Sequence, residues 1–287
     1  MGVAVATDAG LALLTLDDGA GGNRLNLESL QALTAAFAAA EADSAVRAVL
    51  LRSSGPAFCL GMDLSRVGDD TAGAAGAIRL YSELLSRIHH SPLPVIALVQ
   101  GPVKAGGVGL VAACDLVVAA EAADFQLSEV LLGLVPVNVL PFLLARRVTP
   151  ARARELILTA RVFTAAEALT LGLVDRVYPE EKLERGLKSE LKMLFRAAPS
   201  ALAETKAFTA ALEGLSLEGQ CALARETLLR LSSGADVRHA VAAFQKDELP
   251  RWSVAWKPGV PLVVENPEAR SFFRNGLKPF LTRYIRR

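Results

Sequence analysis

The sequence predicts an α/β fold, with a parallel sheet in the first half of the chain and a helical region after it. Short apolar segments typical of buried strands alternate with longer segments of helical spacing as far as about Pro141. Two of these apolar segments run directly into loops that contain glycine. From Pro141 onward nearly every segment has helical character, apart from one short strand at Asp175–Tyr178.

The N-terminal elements follow from local patterns. Val3–Ala6 and Leu11–Leu16 are predicted strands, joined by the turn Thr7-Asp8-Ala9-Gly10. Helical apolar spacing predicts a helix over Leu27–Asp43, and the segment AVRAVLLRSS after it has the pattern of a buried strand. A second helix is expected near Ala74–His89.

Chain breakers and caps define the later elements. PVIALVQG is predicted to be a short strand, VKAGGVGLVAAC a turn followed by a helix, and DLVVAA another strand. Thr164 and Glu167 have the spacing of a capping box, which predicts a helix that begins at Ala165. Pro199 opens another helix, and Asp236–Leu249 forms a further one.

Composition excludes several classes of protein. The chain has 287 residues, of which 52% are hydrophobic, and its mean hydropathy is +0.35. No apolar run approaches the roughly 20 residues of a membrane span, and the N-terminus lacks the pattern of a secretory signal. A formal net charge of +1 gives no electrostatic case for nucleic acid. We therefore expect a soluble cytoplasmic protein that binds neither nucleic acid nor membranes.

Cysteine and histidine are too sparse for a disulfide framework or a His-rich metal centre. Cys59, Cys114 and Cys221 are far apart and match no zinc spacing. We predict that they are small core residues in a reducing compartment. The chain has only three histidines, so no metal site is expected.

The chain changes character after Trp252, where it becomes basic and is interrupted by proline. The simpler interpretation is a tail helix that packs its aromatic residues onto the body of the protein. The alternative is a patch for an acidic or phosphorylated partner. The basic residues concerned are Arg270, Arg274, Lys278, Arg283, Arg286 and Arg287.

Two glycine-containing loops are candidates for the functional site. AFCLGMDLS follows the strand AVLLRSS, and GPVKAGGVG follows the strand PVIALVQ. If the two strands are neighbours in a parallel sheet, both loops emerge at its carboxyl edge, where α/β folds bind ligands. Two backbone amides that converge there can hold an oxygen that becomes negative during a reaction.

Other interpretations of these glycines must be weighed. A Gly-Gly pair at the start of a helix can simply permit close packing of the helix on the sheet. The pattern is not a phosphate loop, because Lys104 precedes the glycines and no Gly-Lys-Ser/Thr follows them. No G-x-G-x-x-G follows the first strand, which disfavours a dinucleotide site.

Four separated segments together resemble the crotonase (enoyl-CoA hydratase/isomerase) superfamily. They lie within the strings AFCLGMDL, PVIALVQGPVKAGGVGLVAACDLVVAAEAADFQLSEVLLGLVP and FTAAEALTLGLVDRVYP. The likeness runs from the first strands to about Phe244–Trp252. The resemblance implies a superhelix of ββα units over residues 1–195 and a helical trimerisation region over residues 196–252, with a basic extension at 253–287. It also implies homotrimers or hexamers, and an acyl thioester carried on phosphopantetheine with no further cofactor.

The resemblance assigns roles to residues of both loops. By position, the backbone amides of Met62 and Gly106 would hold the thioester oxygen and stabilise an enolate, with Gly107 beside them. Arg24 and Asn26 fall where the family lines the nucleotide arm. Asp63 falls on a frequent aspartate of the family, which we interpret as mainly structural.

Of the two glutamates usual in the hydratases of this family, the resemblance places only one here. The first position falls on Gly109, which cannot transfer a proton, and the second on Glu129. A glutamate in the apolar run LSEVLLGLVP should have a raised pKa, which suits acid/base work. A structural glutamate, either capped or salt-bridged, is the alternative. We expect Glu129 to be the catalytic acid/base.

The strings VKAGG, LSE and VPVNVLPFLLARR narrow the resemblance further. They look like the dehydratases of polyketide β-branching, which remove water from 3-hydroxy-3-methylglutaryl groups on an acyl carrier protein. Dehydration on a carrier protein is therefore the first expectation. Isomerisation or hydration of enoyl-CoA, decarboxylation in the same pathway and non-catalytic acyl binding stay open.

Two further side chains are candidates for substrate binding. Lys104 could supply a cation for a distal carboxylate of the substrate, although a solvent-exposed lysine beside the loop is the simpler expectation. His239 could be brought to the pocket by the C-terminal helices, but a histidine on a helix surface is the commoner case.

Overall fold

The computed structural model describes residues 2–18, 21–63, 71–253 and 255–264. The basic residues between Arg270 and Arg287, and both interpretations of that tail, lie outside the described residues.

A six-stranded sheet forms the centre of the molecule, in the order β1-β2-β3-β4-β6-β9. The first pair of strands is antiparallel, and every later pair is parallel. A smaller sheet contains three short strands in the order β5-β7-β8. The strands are β1 (Gly2–Asp8), β2 (Leu11–Asp17), β3 (Ala48–Ser53), β4 (Val95–Val99), β5 (Val103–Lys104), β6 (Leu116–Ala120), β7 (Asp124–Gln126), β8 (Phe163–Thr164) and β9 (Arg176–Tyr178).

Helices separate the strands and dominate the C-terminal part, as the sequence predicts. In the described part of the chain they are α1 (Leu27–Ala42), α2 (Thr71–His90), α3 (Gly106–Ala113), α4 (Leu140–Arg146), α5 (Pro150–Thr159), α6 (Ala165–Leu171), α7 (Glu180–Leu194), α8 (Pro199–Ala211), α9 (Leu217–Ser232) and α10 (Ala235–Gln245). The predicted capping box is confirmed, because the Thr164 side chain accepts from the Glu167 amide and the Glu167 carboxylate accepts from the Thr164 amide.

Both faces of the large sheet are covered, which explains why its strands are apolar throughout. Along β4, Val95, Ala97 and Val99 pack into the larger core with α1, α2 and α3. The alternating residues, Ile96 and Leu98, pack into a second core against α7. Each fully buried side chain of this size stabilises the fold by about 1.5–3 kcal/mol.

Residues 255–264, here termed the C-terminal strap, complete the second core. Trp256 is 5% exposed and stacks on Phe195 with a centroid separation of 5.1 Å. Its indole Nε1 donates to the carbonyl of Ala9 at 3.0 Å. The Glu184 carboxylate accepts from the backbone amides of Leu262 and Val263. The strap therefore ties the end of the described chain to the first β-turn and to α7.

The cysteine prediction is confirmed in part. Cys59 and Cys114 are buried and unpaired core residues, and burial raises the pKa of each thiol to about 12. The prediction is wrong for Cys221, which is exposed on α9.

Candidate active site

The two glycine-containing loops meet at the carboxyl edge of the sheet. β3 and β4 are adjacent and parallel, as the sequence analysis required, with Leu50 opposite Ile96. The loops that follow them are joined by backbone hydrogen bonds. The Phe58 amide donates to the Pro102 carbonyl at 3.0 Å, and the Lys104 amide donates to the Cys59 carbonyl at 2.9 Å.

The Met62 amide points towards the second loop. The Leu25 amide donates to the Gly61 carbonyl at 2.8 Å, and the Leu25 carbonyl accepts from the Asp63 amide at 2.7 Å. These two hydrogen bonds form an isolated parallel bridge between Leu25 and Met62. In a trans peptide, the carbonyl of Gly61 and the N–H of Met62 point to opposite sides. The N–H of Met62 therefore points away from Leu25, towards the side on which β5 and Gly106 lie.

Gly61 brings the first loop against the amide of Gly106. Its φ is +86°, and a methyl group at this position would lie 3.2 Å from the Gly106 nitrogen. Only glycine combines this backbone conformation with so close an approach. The segment that carries the Met62 amide therefore lies in contact with the start of α3.

Ala105 has an unusual backbone conformation immediately before the Gly106 amide. Its φ and ψ are 45° and −121°, a conformation rare for a residue with a side chain, and its own amide donates to the Gln126 carbonyl at 2.9 Å. Gly106 is the first residue of α3, where a backbone N–H has no acceptor inside the helix. This strained entry is the kind of feature that functional sites retain.

Glu129 follows the strand that pairs beside Ala105 and Gly106. It begins a short 3-10 helix, Glu129–Leu132, three residues after Gln126. Its carboxylate Oε2 is shielded from solvent and has no hydrogen-bond partner among the described residues. Burial raises the pKa of Glu129 above its ordinary value, as the sequence analysis predicted. The salt bridge of the structural alternative is not formed within the described chain.

Tyr81 is a polar residue of this region that the sequence analysis missed. It lies on α2, is 2% exposed, and its hydroxyl donates to the Gly106 carbonyl. The same hydroxyl fills the space next to Gly109, where a methyl group would overlap with it. Nothing in the local pattern of α2 distinguishes this tyrosine from an ordinary core residue.

The segment from Arg24 to Asn26 lies beside the first loop, because Leu25 bridges Met62. The Asn26 side chain accepts from the Ser29 amide at 2.9 Å and so caps α1. The backbone amide of Arg24 donates to the Asp18 carboxylate. Asn23, which the sequence analysis did not single out, is 1% exposed and its side chain donates to the carbonyls of Ser54 and Ala57.

Lys104 is buried, so the expectation that it is exposed to solvent is wrong. The residue is 7% exposed, and its ammonium forms an ion pair with the carboxylate of Asp124 on the neighbouring strand β7. Burial lowers the pKa of Lys104, and the charge of Asp124 acts in the opposite direction. The ammonium of Lys104 therefore already has a carboxylate partner within the fold. Gly107 packs against the Cys59 carbonyl, where a methyl group would overlap with it.

His239 makes its contacts within the C-terminal region. Its Nε2 accepts from the Arg251 amide at 3.0 Å, and its ring packs edge-on against Trp252. None of its contacts among the described residues is with Glu129 or the two loops. The structure therefore does not bring it together with the other candidates.

The described residues contain no group of three or more His, Cys, Asp or Glu side chains placed to hold a metal ion. In the same part of the chain, no helix is both long and apolar enough to cross a membrane.

Comparison with known proteins gives a consistent result. The family model described as enoyl-CoA hydratase/isomerase matches residues 6–254. A Thermus thermophilus protein named "Putative enoyl-CoA hydratase" is 36% identical over 246 residues, which cover 84% of this chain and 97% of the relative. The enoyl-CoA isomerase/hydratase fer4 of Mycosarcoma maydis is 31% identical over 233 residues, which cover 78% of this chain and 83% of fer4.

The fold agrees with solved structures. Pseudomonas aeruginosa AtuE superposes with a TM-score of 0.83 at 32% identity, covering 88% of this chain and 100% of that structure. The crotonase-like α/β fold with C-terminal helices, which the resemblance implied, is confirmed. The family match ends at residue 254, so the C-terminal strap lies beyond it.

Proposed function

The chain belongs to the enoyl-CoA hydratase/isomerase family of enzymes, and on that premise we propose that it moves a proton on the acyl group of a CoA thioester, with Glu129 as the only carboxyl group that transfers it. The reaction that this arrangement favours most is the shift of a double bond from C3–C4 to C2–C3. The observation that carries the proposal is the shielded Oε2 of Glu129, which has no hydrogen-bond partner among the described residues. Glu129 follows β7, the strand that pairs with β5 just before Gly106.

The proposed reaction balances with a single carboxylate. Glu129 removes a proton from C2 of a 3-enoyl thioester, and the electron pair moves onto the thioester oxygen to give a dienolate. The amides of Met62 and Gly106 donate to that oxygen as it becomes negative, which in comparable sites is worth about 3 kcal/mol for each donor. The protonated Glu129 then returns its proton to C4, and the double bond forms between C2 and C3.

Dehydration is the second candidate, and the names of the hydratase relatives favour it. Glu129 would remove the C2 proton of a 3-hydroxyacyl thioester and give it to the departing hydroxyl as the C3–O bond breaks. The products are water and the 2-enoyl thioester, so one carboxyl group again suffices. Gly109 ranks this reaction second, because it occupies the position at which hydratases of this family usually hold a second glutamate.

A CoA thioester is the proposed substrate form. The two curated relatives described above carry names of enzymes that act on enoyl-CoA. The expectation of a 3-hydroxy-3-methylglutaryl group on an acyl carrier protein rests on three short strings, and none of these relatives is named for it. The basic residues between Arg270 and Arg287 are the electrostatic argument for binding an acidic carrier protein.

Assembly into a homotrimer or hexamer is also a proposal. The large apolar side chains that α9, α10 and the residues after them expose support it, because a monomer seldom presents so many together. They include Leu217, Leu228, Leu229, Val241, Phe244 and Leu249. Light scattering at micromolar concentration tests it, and a monomer would contradict it.

The test of the reaction offers the enzyme 3-hexenoyl-CoA and 3-hydroxyhexanoyl-CoA separately. Isomerisation converts the first to the conjugated 2-enoyl thioester at unchanged mass, whereas dehydration removes one water from the second. We expect the first conversion to be faster, and Glu129→Gln to abolish it. Failure to convert either substrate, with intact binding, would contradict the proposal and favour an acyl-binding protein.

A further inference from the structure

The first turn of α3 is poorly held by its own residues. The helix is eight residues long, begins with Gly106 and Gly107, and has no side-chain cap at Ala105. Glycine at these positions favours many backbone conformations. An amide that must meet a developing negative charge, in contrast, needs a fixed position and direction.

The hydroxyl of Tyr81 supplies a contact from outside the helix. It donates to the Gly106 carbonyl, in the first peptide after the Gly106 nitrogen. The ring is held in the larger core of the protein, and the side chain is 2% exposed. The hydrogen bond therefore connects the first turn of α3, which begins with two glycines, to a side chain of α2 that is packed in the core.

The phenol is confined and keeps its proton. Burial is the main cause that raises the pKa of Tyr81 well above its ordinary value, and the Glu129 carboxylate acts in the same direction. Gly109 leaves room for the oxygen next to α3, and Leu85 lies against the same space. Tyr81 is thus a hydrogen-bond donor at neutral pH, with little freedom to turn elsewhere.

We propose that Tyr81 is a positioning residue, whose hydroxyl holds the first turn of α3 so that the Gly106 amide points at the thioester oxygen. This inference rests on the proposed function of that amide. Gly109 is part of the same arrangement, because a side chain at this position would displace the Tyr81 hydroxyl. The absence of a side chain at position 109 is therefore what allows the hydroxyl to reach the Gly106 carbonyl.

The first test replaces Tyr81 with phenylalanine, with Tyr178→Phe as a matched control. Tyr178 donates to Glu190 on the far side of the sheet, so its variant also loses one hydroxyl but not near α3. We expect Tyr81→Phe to lower kcat about ten- to a hundredfold, as small misplacements of catalytic groups do, with KM nearly unchanged. Tyr178→Phe should match the parent protein.

A spectroscopic measurement separates positioning from general stability. The infrared stretching frequency of the thioester carbonyl, in bound butanoyl-CoA labelled with ¹³C, reports how strongly the amides polarise it. We expect Tyr81→Phe to shift this frequency towards its value in water, and Tyr178→Phe to leave it unchanged. An unchanged frequency and kcat in folded Tyr81→Phe would overturn the proposal.

A second variant leaves the Tyr81 hydroxyl in the protein, and unchanged kcat and carbonyl frequency in folded Gly109→Ala would by themselves overturn the proposal. Gly109→Ala displaces the hydroxyl without removing it, so kcat should fall by a similar factor. In the Tyr81→Phe background, where no hydroxyl remains, adding Gly109→Ala should change kcat less than twofold. Equal effects in both backgrounds would overturn the proposal. Absence of turnover in the parent protein would instead refute the proposed function, while the carbonyl frequency would still test Tyr81.

Discussion

A side chain at Gly61 would press on the amide of Gly106, because a methyl group there would lie 3.2 Å from that nitrogen. The proposed oxyanion site therefore depends on a residue that itself donates nothing to the substrate. We expect Gly61→Ala to lower kcat/KM about a hundredfold, the range seen when one oxyanion donor is lost. Steady-state kinetics on the converted enoyl-CoA measures the effect.

Gly214 provides the control for Gly61. It has a similar positive φ of +74°, but a methyl group there would meet nothing within 4 Å. Gly214→Ala should therefore cost about 1 kcal/mol of stability from backbone strain and leave kcat/KM unchanged. If both variants lost activity equally, the special role of the contact between Gly61 and Gly106 would be refuted.

Glu129 should make the protein less stable as the pH rises. Its folded-state pKa lies above the unfolded value, so its favourable contribution is complete below the unfolded pKa. That contribution is lost as the pH rises through the folded pKa, because burial disfavours the charged form and Oε2 has no hydrogen-bond partner among the described residues. Glu129→Gln should raise Tm at pH 8 and change it little at pH 4, which thermal scans at both pH values would reveal. A larger gain at pH 4 would contradict the assigned cause.

Lys104 and Asp124 should behave as a coupled structural pair. Removing either charge leaves the other largely shielded and without this partner, and we expect Lys104→Met or Asp124→Asn to cost about 3 kcal/mol each. The double variant should recover part of that loss, because no uncompensated charge remains. Urea unfolding of all four proteins measures the cycle. Additive losses would show that the ion pair is energetically unimportant.

The C-terminal strap should stabilise the fold without taking part in the reaction. Trp256→Ala removes the ring that stacks on Phe195, and we expect it to lower the free energy of unfolding by about 3 kcal/mol. The half-buried Trp252 serves as the control, and Trp252→Ala should cost less. A large loss of kcat in folded Trp256→Ala would contradict this division between stability and catalysis.

Local patterns predicted the elements well, because their causes lie within a few residues. The capping box of Thr164 and Glu167 fixes the start of α6, and the apolar surroundings of Glu129 were enough to predict its raised pKa. The adjacency of β3 and β4 was a condition of the sequence analysis rather than a prediction, and the structure meets it.

Contacts between distant segments could not be predicted in this way. The partner of Lys104 is 20 residues away on another strand, which made an exposed lysine the simpler expectation. Tyr81 meets Gly106 only because α2 packs on α3, and Trp256 reaches Ala9 across almost the whole chain. Such contacts depend on the tertiary arrangement, and the local spacing of apolar residues cannot predict them.

The central claim is that Glu129 removes a proton from C2 of a thioester whose oxygen is held by the amides of Met62 and Gly106. Deuterium exchange at C2 of butanoyl-CoA in D₂O tests it most directly, since a saturated acyl group can neither isomerise nor lose water. We predict that the parent protein exchanges C2 hydrogens and that Glu129→Gln is slower by about a thousandfold. Equal exchange by both proteins would contradict the account.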